Sequence, residues 1–166
     1  MTLDPPVPVA DEWSASFWEG ARAGKLLIER CVRCKLLQFP PGSSCFHCSA
    51  DGLAYEEVSG HGTAYSFTET VSGARHPYFQ AVSPYLVGTV ELDEQEGLIL
   101  ASNLPGSTYV ELEVRARVTV EFQEIGEGRS FPVQACVTSI EVRQPGRSEP
   151  SVLTASLRGR VHRDAR

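Results

Sequence analysis

Two cysteine pairs, Cys31-Val-Arg-Cys34 and Cys45-Phe-His-Cys48, carry the clearest chemistry in the sequence. A C-x-x-C knuckle lets two thiolates meet one ion from a single tight turn, and two facing knuckles complete a tetrahedral all-cysteine site. Four thiolates suit zinc, or iron in a rubredoxin-like site. The ten residues between the pairs include Pro40, Pro41 and Gly42. That gap is shorter than the usual zinc spacing, so a compact hairpin ribbon is expected. Cys31, Cys34, Cys45 and Cys48 leave no coordination position open, which makes the site closed and structural. Two disulfides are the alternative in an oxidising compartment. The first residues, Met1 to Trp13, show neither the basic nor the apolar region of a secretory signal. The longest apolar runs are only a few residues, far short of a membrane span. A cytoplasmic location is therefore expected, where paired cysteines more often bind metal than each other.

The other reactive side chains form no comparable constellation. His47, His61, His76 and His162 are scattered, and Cys136 sits in an alternating run that reads as core. Acidic clusters at Glu56-Glu57 and at Glu91 to Glu94 read as solvated strand ends and turns. There is no glycine-rich phosphate loop, no G-x-S-x-G elbow and no H-E-x-x-H pair. Nothing assembles a nucleophile, a base and an oxyanion donor, so the chain reads as a binding module. The stretch best equipped to touch a ligand is Arg75-His76-Pro77-Tyr78-Phe79, which offers a cation, an imidazole and two aromatic rings on an expected loop. Such a loop can equally pack its own aromatics.

The elements that hold these residues follow from periodicity. Residues 1–24 read as a proline-rich arm and an amphipathic helix, with Asp11 as cap and Gly24 as stop. Trp13, Phe17, Trp18 and Ala21 fall on one apolar face. The simplest use of that face is packing on the protein's own ribbon or barrel; docking a partner is the other. Residues 25–59 form the expected zinc ribbon, with strands at Lys25 to Arg30, Leu36 to Phe39 and Leu53 to Val58. At Ser59-Gly60 the pattern changes to a period of two. Five strands follow within residues 60–142: Gly62 to Thr70, Tyr85 to Asp93, Leu98 to Asn103, Val114 to Phe122 and Val133 to Val142. Their lengths and turns fit a closed OB-type barrel, and a sandwich of similar size shares the pattern. The fold class is therefore mainly β.

Residues 143–166 stand apart. They carry six arginines against Glu149 and Asp164, a balance of +4, so with a net charge of −6 the remaining 142 residues carry −10. Such a tail either stays solvated and flexible or grips a nucleic acid, an anionic cofactor or an acidic partner.

The order of parts resembles one known family. An amphipathic helix precedes GKLLIERCVRCKLLQFPPGSSCFHC, then SGHGTAYSFT and PYLVGTVELDE. This is similar to the acyl-CoA-associated zinc-ribbon plus OB-fold proteins, over roughly residues 14–142. The resemblance implies a non-catalytic partner subunit of a thiolase-fold protein in a hetero-oligomer: a thiolase, an acyltransferase or a retro-aldolase of steroid or lipid side-chain degradation. It implies structural zinc on Cys31, Cys34, Cys45 and Cys48, and a barrel that helps hold or channel an acyl-CoA. Gly60 and Gly62 would shape the joint between ribbon and barrel. Arg75, His76, Tyr78 and Phe79 would lie near the acyl-CoA or the partner, and Trp13, Phe17 and Trp18 would mark a docking helix. The family often has glycine before its fourth barrel strand, where this chain has Arg115-Ala-Arg117. Two other readings share the fold: a single-stranded nucleic-acid binder and a rubredoxin-like electron carrier. The acidic barrel speaks against the first, because phosphate contacts need a basic groove.

Overall fold

A computed structural model describes residues 6, 8–71, 76–104, 109, 112–123 and 134–141. Arg75, the arginine-rich residues 143–166 and the side chain of Cys136 lie outside this description. The chain begins with helix α1 (Ala15–Arg22) and continues through β1 (Leu26–Cys31), β2 (Leu37–Gln38) and β3 (Leu53–Val58). These strands make an antiparallel sheet in the order β2-β1-β3. Five further strands, β4 (His61–Thr70), β5 (Tyr85–Leu92), β6 (Ile99–Asn103), β7 (Arg117–Gln123) and β8 (Gln134–Glu141), close a barrel in the order β4-β5-β6-β8-β7. Only β6 and β8 run parallel among these neighbours, and β7 returns to β4 to seal the sheet. The barrel, not the sandwich, is the outcome.

The period of two explains the barrel wall. Along β5, Leu86, Gly88, Val90 and Leu92 point inward and alternate with half-buried residues. Leu98, Leu100, Leu104, Leu112 and Val118 complete the interior. The same apolar cluster continues through Val58 into Leu26, Ile28, Leu37 and Phe17 of the ribbon and helix. Burying each such side chain contributes about 1.5–3 kcal/mol, so ribbon and barrel stabilise each other.

The joint needs its two glycines. Gly60 holds φ +73°, a left-handed conformation that costs other residues about 1–2 kcal/mol. A methyl group at Gly62 would come within 2.4 Å of the Glu91 carbonyl oxygen, because β4 and β5 cross closely there.

Three boundaries differ from the sequence reading. Helix α1 starts at Ala15, because Asp11 caps the turn in front of it: its Oδ1 accepts from the Ser14 N–H at 2.8 Å. The segment between β4 and β5 is not all loop. It contains helix α2 (Pro77–Val82), which puts Tyr78 and Phe79 on a helical turn. Strand β7 begins at Arg117 rather than Val114, since Glu113 to Ala116 form a turn with Arg115 at φ +72°. A non-glycine residue in that conformation could not be read from composition.

Candidate metal centre

The two knuckles are built alike. After the first, the Cys31 N–H donates to the Leu36 carbonyl at 2.9 Å and the Lys35 N–H to the Cys31 carbonyl at 3.0 Å. After the second, the Cys45 N–H donates to the Ala50 carbonyl at 2.8 Å and the Ser49 N–H to the Cys45 carbonyl at 2.8 Å. Lys35 and Ser49 occupy the matching left-handed positions, φ +66° and +56°. The Arg30 guanidinium donates to the Lys35 carbonyl and pairs with Glu56, which steadies the first of these turns.

This backbone brings the four sulfurs together. Cys31, Cys34, Cys45 and Cys48 Sγ all lie within 4.8 Å of one another, with Cys31–Cys48 and Cys34–Cys45 at 3.6 Å. A tetrahedral ion with bonds of about 2.3 Å to sulfur implies sulfur–sulfur edges of about 3.8 Å. A disulfide needs about 2.05 Å. The cluster therefore fits one ion held by four thiolates and not a pair of disulfides. Cys31 and Cys45 are buried, and the other two partly so.

The protonation of the thiols follows the local donors. The Cys34 N–H, aided against desolvation by that of Arg33, lowers the Cys31 thiol to about 6. At Cys34 the Leu36 N–H acts downward, but desolvation and the sulfurs of Cys45, Cys31 and Cys48 raise the thiol to about 12. Cys31 is thus a readier thiolate than Cys34, from which an incoming cation must displace a proton.

Around the centre, polar side chains fix the loop between the knuckles. The buried Glu29 Oε2 accepts from Gln38 Nε2 and from the Gly42 N–H, each at 3.0 Å. Gln38 Oε1 accepts from the Phe46 N–H at 2.9 Å, and its Nε2 donates to the Ser44 carbonyl at 3.3 Å. The barrel contributes as well. Gln95, in the turn between β5 and β6, accepts from the Leu37 N–H at 2.8 Å and donates to the Leu37 carbonyl at 2.9 Å. His47 Nε2 meets the same carbonyl at 3.2 Å, and Glu94 Oε1 accepts from the Ser59 N–H at 2.7 Å. Sequence reading placed Glu94 to Gly97 only as a hairpin turn; its clamp on the ribbon is a contact 58 residues apart in the chain.

The remaining expected site residues fall in two places. Phe17 is buried, its ring 4.9 Å from Trp18 edge-on and 5.4 Å from Phe39. Trp18 packs partly against the core, while Trp13 is 44% exposed. The Tyr55 hydroxyl donates to the Trp13 carbonyl, and desolvation raises that hydroxyl to about 12, so it stays a donor. At the other end of the barrel, His76 caps α2 by accepting from the Tyr78 N–H at 3.3 Å. His76, Tyr78, Phe79 and Tyr85 form a ring cluster, with Phe79 stacked on Tyr85 at 5.5 Å. No residue of α2 is buried. The structure does not bring this cluster to the four cysteines.

A four-cysteine ribbon sealed onto an OB barrel defines the class of protein. Residues 18–54 match the ChsH2 rubredoxin-like zinc ribbon domain, and residues 55–123 match the ChsH2 C-terminal OB-fold domain. The chain belongs to this ChsH2 zinc-ribbon and OB-fold family, also called DUF35. A curated relative from Thermomonospora curvata, "Probable enoyl-CoA hydratase alpha subunit", is 34% identical over 128 residues. The alignment takes 77% of this chain and 39% of the relative, so the chain spans about two fifths of that protein's length. A solved structure described as "Ltp2-ChsH2(DUF35) aldolase" contains a chain 30% identical to this one, with a TM-score of 0.68. The match covers 79% of this chain and 97% of that one. A DUF35 protein of unknown function from Sulfolobus solfataricus shares the fold at a TM-score of 0.50 and 18% identity, covering 74% of this chain and 82% of its own. The zinc-ribbon match and the sulfur geometry agree on a structural zinc centre.

Proposed function

We propose that the chain is a non-catalytic subunit that joins a thiolase-fold enzyme and helps hold or channel its acyl-CoA substrate, in steroid or lipid side-chain degradation. The observation that carries this reading is the likeness to 97% of a chain in the two-component "Ltp2-ChsH2(DUF35) aldolase" structure. The relative named as an enoyl-CoA hydratase subunit points to the same substrate class. Zinc, held by Cys31, Cys34, Cys45 and Cys48, would supply no chemistry to the reaction; it would fix the ribbon so that the barrel and α1 present constant surfaces. The half-buried rings of Tyr78 and Phe79, beside the exposed His76, are suited to a partner's apolar surface or to the acyl-CoA. Arg75 precedes them in the chain and is included in that reading.

Reconstitution tests it. The thiolase-like proteins of the host are assayed on acyl-CoA substrates alone and with this chain. One of them should gain at least about tenfold in activity on mixing, and substitution of Arg75, His76 and Tyr78 by alanine should weaken assembly or acyl-CoA affinity. Full activity of every such enzyme without this chain would remove the proposal. An unchanged triple variant would remove only the assignment of the α2 surface.

A further inference from the structure

A cleft of ≈ 320 Å³ opens on the barrel at the end opposite α2, lined by Thr63, Ala64, Tyr65, Glu91, Val114 and Arg115. Two backbone irregularities make it. A bulge between Ala64 and Ser66 turns Tyr65 out of the β4–β5 ladder, and the left-handed Arg115 turns the chain into β7. They are tied together, because the Arg115 N–H donates to the Ala64 carbonyl at 2.7 Å and the Ala64 N–H to the Ala116 carbonyl at 2.9 Å. Bulges often re-aim a side chain toward a binding surface. Here the result is an apolar pair left in water: Tyr65 is 58% exposed and Val114 59%.

The rim is acidic. Asp93 is paired with Arg117, Glu91 Oε1 accepts from the Gly97 N–H and Glu94 Oε1 from the Ser59 N–H. Glu96 and Glu113 are exposed and take part in no ion pair among the described residues. Arg115 is the one cation of the lining.

A complementary segment starts nearby. Glu141, the last described residue, lies opposite Arg117, and Arg117 lies opposite Thr63 of the cleft. Two strand spacings separate them, about 10 Å. The 24 residues from 143 onward carry a balance of +4, with apolar Leu153, Leu157 and Val161 recurring at i, i+4 and i+8. That recurrence is what one helical face would present, with Arg158 and Arg160 beside it.

We propose that residues 143–166 dock on this cleft, their apolar positions covering Tyr65 and Val114 and their arginines meeting the carboxylates of the rim. Glu149 and Asp164 supply complements for Arg115.

Hydrogen exchange on the full chain decides this. At low salt, amides around residues 153–161 should exchange at least about tenfold more slowly than in a free peptide of residues 143–166. Roughly half-molar salt should remove most of that protection, because rim charges are screened. Tyr65→Ala with Val114→Ala should also remove it, and Glu96→Gln with Glu113→Gln should weaken it at low salt only. These positions are exposed, so zinc content and circular dichroism should stay unchanged. If the cleft variants disturb the barrel, Arg158→Gln with Arg160→Gln tests the same contact from the segment's side. Exchange at the free-peptide rate in the wild type overturns the proposal. Protection that survives both the cleft and the arginine substitutions overturns it equally.

Discussion

Lys35 and Ser49 close the two knuckles in a conformation that glycine adopts most cheaply, yet neither is glycine. Each costs about 1–2 kcal/mol, which the surrounding hydrogen bonds offset and four bonds to a held ion would offset further. The ligands themselves were legible from spacing alone; these turn residues were not, because no composition rule marks them. The consequence for protons is direct. Cys31 is lowered to about 6 and Cys34 raised to about 12, so protons compete with zinc across the neutral range. Zinc binding should release protons at pH 7, and zinc affinity should fall as pH falls, which a chelator competition at several pH values reads out. The carboxyls of Asp93, held low by Arg117, and Glu56, held low by Arg30, act in the same sense. A lowered folded pKa means stability present above the unfolded value and lost as pH drops through the folded one. Cys34→Ser should lose stoichiometric zinc and unfold the ribbon, because metal-binding energy is folding energy in so small a unit. A zinc-loaded, fully assembled Cys34→Ser protein would contradict the structural role.

Among the elements, β5 and β6 lie where a period of two predicts them, since alternate residues of each face the core. What could not be read is what neighbours impose. Helix α2 is six residues long, too short for a periodic signal, and α1 lost its expected cap because Asp11 bonds the preceding turn. The hairpin between β5 and β6 was visible as a turn, but the grip of Gln95 on both polar groups of Leu37 depends on tertiary contact. Leu37 is 1% exposed, so its N–H and carbonyl have little access to water once that grip is lost. Gln95→Ala should therefore cost about 2 kcal/mol, at roughly 1 kcal/mol per hydrogen bond. A thermal melt should shift down by several degrees, and a chelator should strip the zinc faster, since His47 shares the Leu37 carbonyl. An unchanged melt and unchanged zinc release would show that ribbon and barrel hold together without the Gln95 clamp.

At the scale of the whole molecule, the parts divide the work. The zinc centre orders a ribbon, the ribbon seals one side of a barrel, and the barrel carries α2 at one end and the Tyr65–Val114 cleft at the other. Among the described residues, no helix is long and apolar enough to cross a membrane. The described barrel and ribbon are acidic, which disfavours a phosphate backbone as partner and leaves a protein subunit as the better fit. The most direct test of the subunit reading is a gentle pull-down of the full chain from its own host, with mass spectrometry of what co-elutes. The account predicts a thiolase-fold protein at near-stoichiometric yield. Recovery of nucleic acid with its binding proteins, and no thiolase-fold protein, would contradict it.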